Sequence, residues 1–207
     1  MTIKIKVCGM RDPQNIQDIV QCNIDILGFI FYEQSQRFVG HDFSPQLLLD
    51  CGKQTAGVFV NQSVEYVVQK QQTYGLDYLQ IHGNESVEYC KQLYEITQAY
   101  IVKAFLIDEH FSDSILEEYT PYCHYFLFDT KTTLYGGSGQ KFDWNILHTM
   151  NISKPFFLSG GITPHDTDIL SRIHHSKLYC IDINSKFEIR HAFKNVEAVR
   201  HFVTSIH

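Results

Sequence analysis

The chain has 207 residues, which is enough for one sizeable hydrophobic core and short for two ordinary domains. Its net charge of −6 makes nucleic acid and anionic membranes poor partners, so any anionic ligand must be held by local groups. No apolar run approaches the roughly 20 residues of a membrane span, and the alternating N-terminus, residues 1–6, lacks the apolar stretch of a signal peptide. These features predict a soluble, cytoplasmic protein.

Strand-like and helix-like stretches alternate along the chain. Short apolar runs predict buried strands at Ile3–Val7, Ile26–Phe31, Thr55–Val60, Tyr78–Ile81, Tyr100–Phe105, Tyr125–Phe128, Phe156–Leu158 and Leu178–Ile183. Helices are predicted at Pro13–Gln21, Ser44–Cys51, Ser63–Tyr74, Ser86–Leu93, Ser112–Tyr119, from Asp143 onward, at Pro164–Ile173 and at Val196–Val203. Asp12 is the expected N-cap of the first helix, with Pro13 at its first position.

This order gives eight β-then-α units with mostly short connections. It predicts an α/β protein with a single closed (β/α)₈ barrel, a TIM barrel, over one domain spanning residues 1–207. An open doubly wound sheet is the structural alternative. Its dinucleotide-binding form needs a Gly-x-Gly-x-x-Gly turn after the first strand, and residues 8–12, Cys-Gly-Met-Arg-Asp, are not one.

The six cysteines and eleven histidines are dispersed, and no two cysteines form a Cys-x-x-Cys pair. This spacing argues against a zinc site and against a disulfide scaffold. The adjacent His174 and His175 cannot both face one metal ion from a helix. We expect no metal site.

Two residues at strand ends are candidates for proton transfer. Cys8 follows the first strand and precedes Gly9, which would let a ligand approach; the alternative is a buried core cysteine. Asp129 follows the sixth strand, where a carboxylate is costly to bury unless paired or used; the alternatives are a helix cap or a salt bridge to Lys131. In a barrel both face one mouth, so a thiol and a carboxyl could act on opposite sides of a small substrate.

The loops after the last two strands are candidates for phosphate binding. Gly160 and Gly161 lie between the seventh strand and the next helix, where bare backbone N–H groups and a helix N-terminus can hold an anion. Asn184 and Ser185 follow the eighth strand and would complete the site. The glycine-rich loop Tyr135–Gly139 is interpreted as a cover for a ligand or as a plain solvent loop.

Further polar residues at strand ends are candidates for binding substrate. Arg37 suits a carboxylate, the alternative being a surface charge. Gln80 and His82 flank Ile81 and therefore point the same way, although a lone histidine is more often structural. Asp182 either orients the phosphate loop or faces the mouth, the alternative being a paired carboxylate in the barrel wall.

Ordered motifs along nearly the whole chain carry a family resemblance. They are Lys6–Met10, Gly28–Tyr32, Ser35–Phe38, Gly57–Asn61, Leu79–Glu85, Asp129–Lys131, Tyr135–Gly139, Phe142–Trp144, Leu158–Gly161 and Ile181–Ser185. With these motifs the chain resembles the phosphoribosylanthranilate isomerases of tryptophan biosynthesis.

The resemblance implies an Amadori rearrangement of N-(5-phosphoribosyl)anthranilate to 1-(2-carboxyphenylamino)-1-deoxyribulose 5-phosphate. Asp129 is then similar to the general acid that protonates the ring oxygen, and Cys8 to the general base that removes the C2′ proton. Arg37 is similar to the residue that meets the anthranilate carboxylate, and the seventh and eighth loops would anchor the phosphate. The family needs no cofactor and no metal, because the substrate nitrogen supplies the electron sink.

Two stretches depart from the family pattern. After the eighth strand the family has Ser-Ser-Gly, whereas residues 184–186 read Asn-Ser-Lys. A later Pro-Gly is replaced by His191-Ala192. Both departures concern the expected phosphate contacts. Lys186 either adds a favourable positive charge near the phosphate or points to solvent.

Alternative functions stay open at the level of the sequence. Another phosphosugar barrel of the ProFAR isomerase type would use a pair of aspartates, and an indole-glycerol-phosphate synthase would use a lysine acid, for which Lys103 is the candidate. A non-catalytic phosphosugar-binding barrel is the third reading. In each case the partner is a small molecule, and the protein is expected to be a monomer or a homodimer.

Overall fold

The computed structural model describes residues 3–130 and 141–207. Eight parallel strands form a closed barrel in sequence order, namely β1 (Lys4–Val7), β2 (Ile26–Ile30), β3 (Gln54–Phe59), β4 (Tyr78–Ile81), β5 (Tyr100–Ile107), β6 (Tyr125–Thr130), β7 (Phe156–Leu158) and β8 (Leu178–Ile183). The barrel closes because β1 also pairs with β8, with Ile5 opposite Ile181. The predicted (β/α)₈ barrel is therefore confirmed, and the open sheet is excluded.

Helices cover the outside of the barrel. They are α1 (Pro13–Val20), α2 (Gln46–Leu49), α3 (Val64–Tyr74), α4 (Val87–Ile96), α5 (Ile115–Tyr119), α6 (Thr167–Leu170) and α7 (Val196–Ile206), with 3₁₀ helices at Trp144–His148 and Ser185–Phe187. Asp12 caps α1 by accepting from the Asn15 N–H, as predicted. Within the described ranges, no helix is long and apolar enough to cross a bilayer.

The structure differs from the sequence analysis in one shortened helix and one additional hairpin. The helix expected over Pro164–Ile173 is reduced to α6, because Asp166 accepts from both the N–H and the hydroxyl of Thr163 and closes a turn there. The sequence analysis also missed a hairpin after the barrel, formed by β9 (Glu188–Arg190) and β10 (Phe193–Lys194). These strands are too short to show a period-two pattern.

Alternation along the strands divides the side chains between two cores. One cluster packs between strands and helices, and the other fills the barrel with residues of β2 to β8: Ile26, Ala56, Tyr78, Val102, Ala104, Leu127, Phe157 and Cys180. Side chains that face the interior also form hydrogen bonds across the barrel. One such bond joins the hydroxyls of Tyr78 on β4 and Tyr179 on β8, two strands that are not neighbours. Residues two further along the same strands lie at the mouth.

The lower end of the barrel is fastened by a repeated contact. The Asp25 carboxylate accepts from the Ile5 N–H at 2.8 Å, and the Asp77 carboxylate accepts from the Thr55 N–H at 2.7 Å. In return, the Asp25 and Asp77 N–H groups donate to the carbonyls of Ile5 and Thr55. Each contact satisfies a main-chain donor near the start of a strand with a carboxylate acceptor.

We expect Asp77→Ala to lower the free energy of unfolding by about 1–3 kcal/mol, because the buried Thr55 N–H loses its acceptor. Urea denaturation measures this loss. The control is Asp18→Ala, whose partner Gln14 lies on the exposed face of α1, and which should change stability by less than about 0.5 kcal/mol. Equal losses in both variants would contradict the assignment.

Candidate active site

Cys8 lies directly after β1, inside the mouth of the barrel, and is only 4% exposed. Its side chain packs with Ile30 and Val58. The position requires glycine at residue 28, because a Cβ there would approach the Cys8 Sγ to 2.9 Å. Burial raises the pKa of the Cys8 thiol and Asp182 adds to this, whereas the positive charges of Lys6 and Lys194 oppose it.

Beneath Cys8 lies Lys6, a fully buried lysine that the sequence analysis did not select. Its ammonium donates to the Asp182 carboxylate and to the Gln80 side-chain oxygen, both at 2.7 Å. Burial by itself would lower the pKa of Lys6, but Asp182 and Cys8 outweigh this and raise it above the usual value. The site therefore contains a permanent positive charge. Its signal in the sequence was the alternation Lys4, Lys6, Cys8, which places all three side chains on one face of the strand.

Asp129 lies near the end of β6, one residue inside the strand rather than after it. Its Oδ1 accepts from the Thr130 N–H at 2.7 Å, and its Oδ2 lies 3.4 Å from His82 Nε2 and 3.5 Å from the Ser159 hydroxyl. His82 Nδ1 is in turn 2.8 Å from the Gln80 side-chain nitrogen. The structure thus brings Asp129, His82 and Gln80 together at the mouth.

The loop after β7 approaches Asp129 closely. Gly160 and Gly161 have positive φ angles of 94° and 65°. A Cβ on Gly160 would lie 2.7 Å from the Thr130 nitrogen and 3.0 Å from Asp129 Oδ1, so this position accepts only glycine. Because α6 begins only at Thr167, the glycines are not the N-terminal turn of a helix. Phosphate binding here would therefore rely on loop N–H groups and not on a helix N-terminus.

The loop after β8 is tied to the hairpin. Lys194 donates to the Asn184 side-chain oxygen and to Glu188, both at 2.7 Å. Burial lowers the pKa of Lys194 to about 8, although Glu188 works against that shift. Ser185 starts a short 3₁₀ helix, and Lys186 is exposed.

Arg37 is held by the same carboxylate. Glu188 accepts from Arg37 Nε at 2.9 Å and from Arg37 Nη2 at 2.7 Å, a bidentate pair with both side chains largely buried. His191 Nδ1 lies 3.3 Å from Nη2. The predicted carboxylate-binding arginine is therefore at the mouth, but its Nε–Nη2 edge is already occupied. Neither Glu188 nor Lys194 was selected from the sequence, because their contacts depend on the hairpin.

Lys103, the candidate for a lysine acid, lies outside the mouth. Its neighbours Val102 and Ala104 face the barrel interior, so Lys103 points toward the helices. There its ammonium donates to the Gly83 carbonyl at 2.7 Å and to Glu85 at 3.2 Å. This placement removes the reason for an indole-glycerol-phosphate synthase reading.

The remaining predictions divide into those the structure describes and those it does not. No group of three or more His, Cys, Asp or Glu side chains fit to hold a metal ion occurs in residues 3–130 and 141–207. The predicted covering loop Tyr135–Gly139 and the alternative partner Lys131 lie outside the described residues. Gln80 and Asp182 are buried and paired with Lys6, and their binding of substrate stays a prediction.

Comparison with known proteins gives a consistent result. The family model for N-(5′-phosphoribosyl)anthranilate isomerase matches residues 5–205. An N-(5′-phosphoribosyl)anthranilate isomerase from Parabacteroides distasonis is 42% identical over 98% of this chain and 92% of the relative.

Solved structures agree with this relationship. The phosphoribosyl anthranilate isomerase of Thermotoga maritima is 26% identical, with a TM-score of 0.84, over 99% of this chain and 98% of its own. A further phosphoribosyl anthranilate isomerase, solved with reduced 1-(o-carboxyphenylamino)-1-deoxyribulose 5-phosphate, is 22% identical with a TM-score of 0.81. It covers 99% of this chain and 98% of its own, and at this identity it bears on the fold alone.

We expect Glu188→Gln to be less stable than the wild type at neutral pH, because it leaves Arg37 and Lys194 without a counter-charge. Burial works to raise the pKa of Glu188, but Arg37 and Lys194 outweigh it and lower the pKa below the ordinary 4.5. A lowered pKa stabilises the fold above pH 4.5, and the stabilisation is lost as pH falls through the folded-state pKa.

Urea denaturation across acidic pH tests this expectation. The difference in unfolding free energy between wild type and Glu188→Gln should narrow as pH falls below about 4.5. Exposed Glu109→Gln is the control and should follow the wild type. A constant gap between wild type and Glu188→Gln would show that the charge of Glu188 does not contribute to stability.

Proposed function

This chain belongs to the N-(5′-phosphoribosyl)anthranilate isomerase family, an enzyme family of tryptophan biosynthesis, and we propose that Asp129 and Cys8 carry out its reaction as general acid and general base. The observation that supports these roles is the placement of a thiol and a carboxyl at one barrel mouth. Both interact with Asp182: besides burial, the Asp182 carboxylate raises the pKa of the Cys8 thiol, and Asp129 raises the pKa of Asp182. Both also lie where the strands of this fold present catalytic groups.

The proposed reaction is an isomerisation in which protons move and no atom is lost. Asp129 gives a proton to the ring oxygen of the phosphoribosyl group while the bond from that oxygen to C1′ breaks, which leaves a protonated Schiff base with the anthranilate nitrogen. The Cys8 thiolate then takes the proton from C2′, and the electron pair moves to the nitrogen. The resulting enol tautomerises to the ketone of 1-(2-carboxyphenylamino)-1-deoxyribulose 5-phosphate.

The rest of the mouth is assigned to binding. Arg37 would meet the anthranilate carboxylate through Nη1, since Glu188 occupies the Nε–Nη2 edge. The loops that carry Gly160-Gly161 and Asn184-Ser185 follow adjacent strands and would share the phosphate. His82 would face the substrate beside Asp129.

The setting of the enzyme follows from the same reading. Its partner is the small-molecule phosphosugar substrate, and the chain works as a single catalytic domain, as a monomer or a homodimer. The cytoplasm is the proposed location. All six cysteines are free, which supports a reducing compartment.

We expect Cys8→Ser and Asp129→Asn each to lower kcat by about 10²–10⁴-fold, the usual contribution of a positioned acid or base. Each replacement keeps the size of the side chain, so the fold should persist. Turnover is measured as the loss of substrate fluorescence after purified enzyme is added, without added metal.

The matched controls are Cys51→Ser and Asp42→Asn. Cys51 is half-buried and Asp42 is exposed, and neither belongs to the proposed site, so both variants should retain wild-type turnover. Circular dichroism and urea denaturation establish that the inactive variants are folded. Near-normal turnover in folded Cys8→Ser or Asp129→Asn would refute the role given to that residue.

The pH dependence of the residual kcat/KM of Asp129→Asn isolates the base, because the acid no longer titrates in this variant. Lys6, Asp182 and Lys194 lie around Cys8, and burial raises the pKa of the thiol above its ordinary 9.0. The thiolate fraction, and with it the residual kcat/KM, should therefore rise about tenfold per pH unit below that pKa. A residual kcat/KM that stays flat from about pH 6 to 9 would contradict a thiolate base.

A further inference from the structure

Gln80 links the buried ammonium to the proposed acid. Lys6 Nζ lies 2.7 Å from Gln80 Oε1, Gln80 Nε2 lies 2.8 Å from His82 Nδ1, and His82 Nε2 lies 3.4 Å from Asp129 Oδ2. The Gln80 side chain is 2% exposed, and both ends of its amide are engaged by protein groups. This burial leaves it poorly placed to touch a substrate.

The ammonium fixes which way the Gln80 amide points. A lysine ammonium has donors and no acceptor, so it must face the amide oxygen. The NH₂ group then faces His82 Nδ1 and donates to it. If the amide were reversed, the Gln80 NH₂ group would face the Lys6 ammonium, and two donors would meet. The ammonium cannot move away from this contact, because it is bound to Asp182.

The orientation of the amide selects the tautomer of His82. Because Nδ1 accepts from Gln80, the proton of the neutral ring resides on Nε2, the nitrogen that faces Asp129. A proton on Nε2, 3.4 Å from Asp129 Oδ2, stabilises the carboxylate that forms when Asp129 gives up its proton. The Thr130 N–H does the same at the other oxygen. In the opposite tautomer, a lone pair on Nε2 would hold the Asp129 proton back from the substrate.

On the basis of the proposed role of Asp129, we propose that Gln80 is a positioning residue that, held by Lys6, keeps the Nε2–H of His82 directed at the catalytic carboxyl. Gln80 acts through His82 and does not bind the substrate. This assignment separates the effect of Gln80 on turnover from any effect on substrate affinity.

Kinetics of Gln80→Met test the proposal. Without the Gln80 donor, His82 no longer keeps its proton on Nε2, and the interaction of Nε2–H with the Asp129 carboxylate weakens. We therefore expect kcat to fall about 10–100-fold, while KM stays within about twofold. The matched control is Gln54→Met. Gln54 accepts from Lys4 at 2.7 Å in the same way, but at the opposite end of the barrel, and its loss should leave kcat unchanged.

A double-mutant cycle tests whether Gln80 acts through His82. If it does, adding Gln80→Met to His82→Ala should lower kcat by less than about threefold beyond His82→Ala alone. Multiplicative losses of kcat would show that Gln80 acts independently of His82 and would overturn the proposal. A rise in KM with kcat unchanged would also overturn it and make Gln80 a substrate ligand.

The ¹⁵N chemical shifts of the histidine rings give a readout that does not depend on activity. Wild-type His82 should carry its proton on Nε2 alone, and Gln80→Met should give a mixture of tautomers. His124 is the internal control, because its Nδ1 accepts from the Ile101 N–H and its tautomer should not change.

A proton on Nδ1 of wild-type His82, or the same tautomer in wild type and in Gln80→Met, would overturn the proposal. Full turnover in Cys8→Ser and Asp129→Asn would instead refute the proposed function. In that case a change of tautomer in Gln80→Met would still show that Gln80 orients the His82 ring, but not that it serves catalysis.

Discussion

A lysine ammonium inside a closed barrel must be compensated, and the mouth of this enzyme is arranged around that requirement. Lys6 reaches Asp182 on one neighbouring strand and Gln80 across the barrel, and its charge lies against Cys8. Breaking such a buried pair from one side leaves an uncompensated charge in the core. The ammonium thus orders an acceptor on β8 and an amide on β4, and it supplies positive charge beside the thiol.

The same strands provide two different environments at different heights. At the lower end Tyr78, Tyr125 and Tyr179 pack with Phe157 into an aromatic layer, closed by Lys4 over the Tyr179 ring. At the height of Lys6 the interior becomes polar. Side chains that face the interior recur every second residue. A strand therefore contributes a packed apolar side chain at one level and a polar side chain of the site two residues later.

A second charged cluster lies at the rim, where the hairpin after β8 folds over Arg37. Glu188 binds Arg37 and Lys194 together, and the Ala192 N–H also donates to it at 3.2 Å. Ala192 has a positive φ of 59°. An alanine in this conformation costs about 1 kcal/mol. The hydrogen bond from the Ala192 N–H to Glu188 offsets part of this conformational cost.

The sequence by itself determined the order of the strands, the closed barrel, and the strand ends that carry Cys8, Asp129 and the glycine loop, because these follow from local apolar runs and from the geometry of parallel strands. It did not determine which side chains neutralise one another. Lys6, Glu188 and Lys194 differ from surface charges only in their partners, which lie on other strands. The pairing of Lys103 with Glu85 was likewise decided by a contact between separate segments of the chain. Burial and compensation of charge are properties of the packed barrel, so only the tertiary structure could decide them.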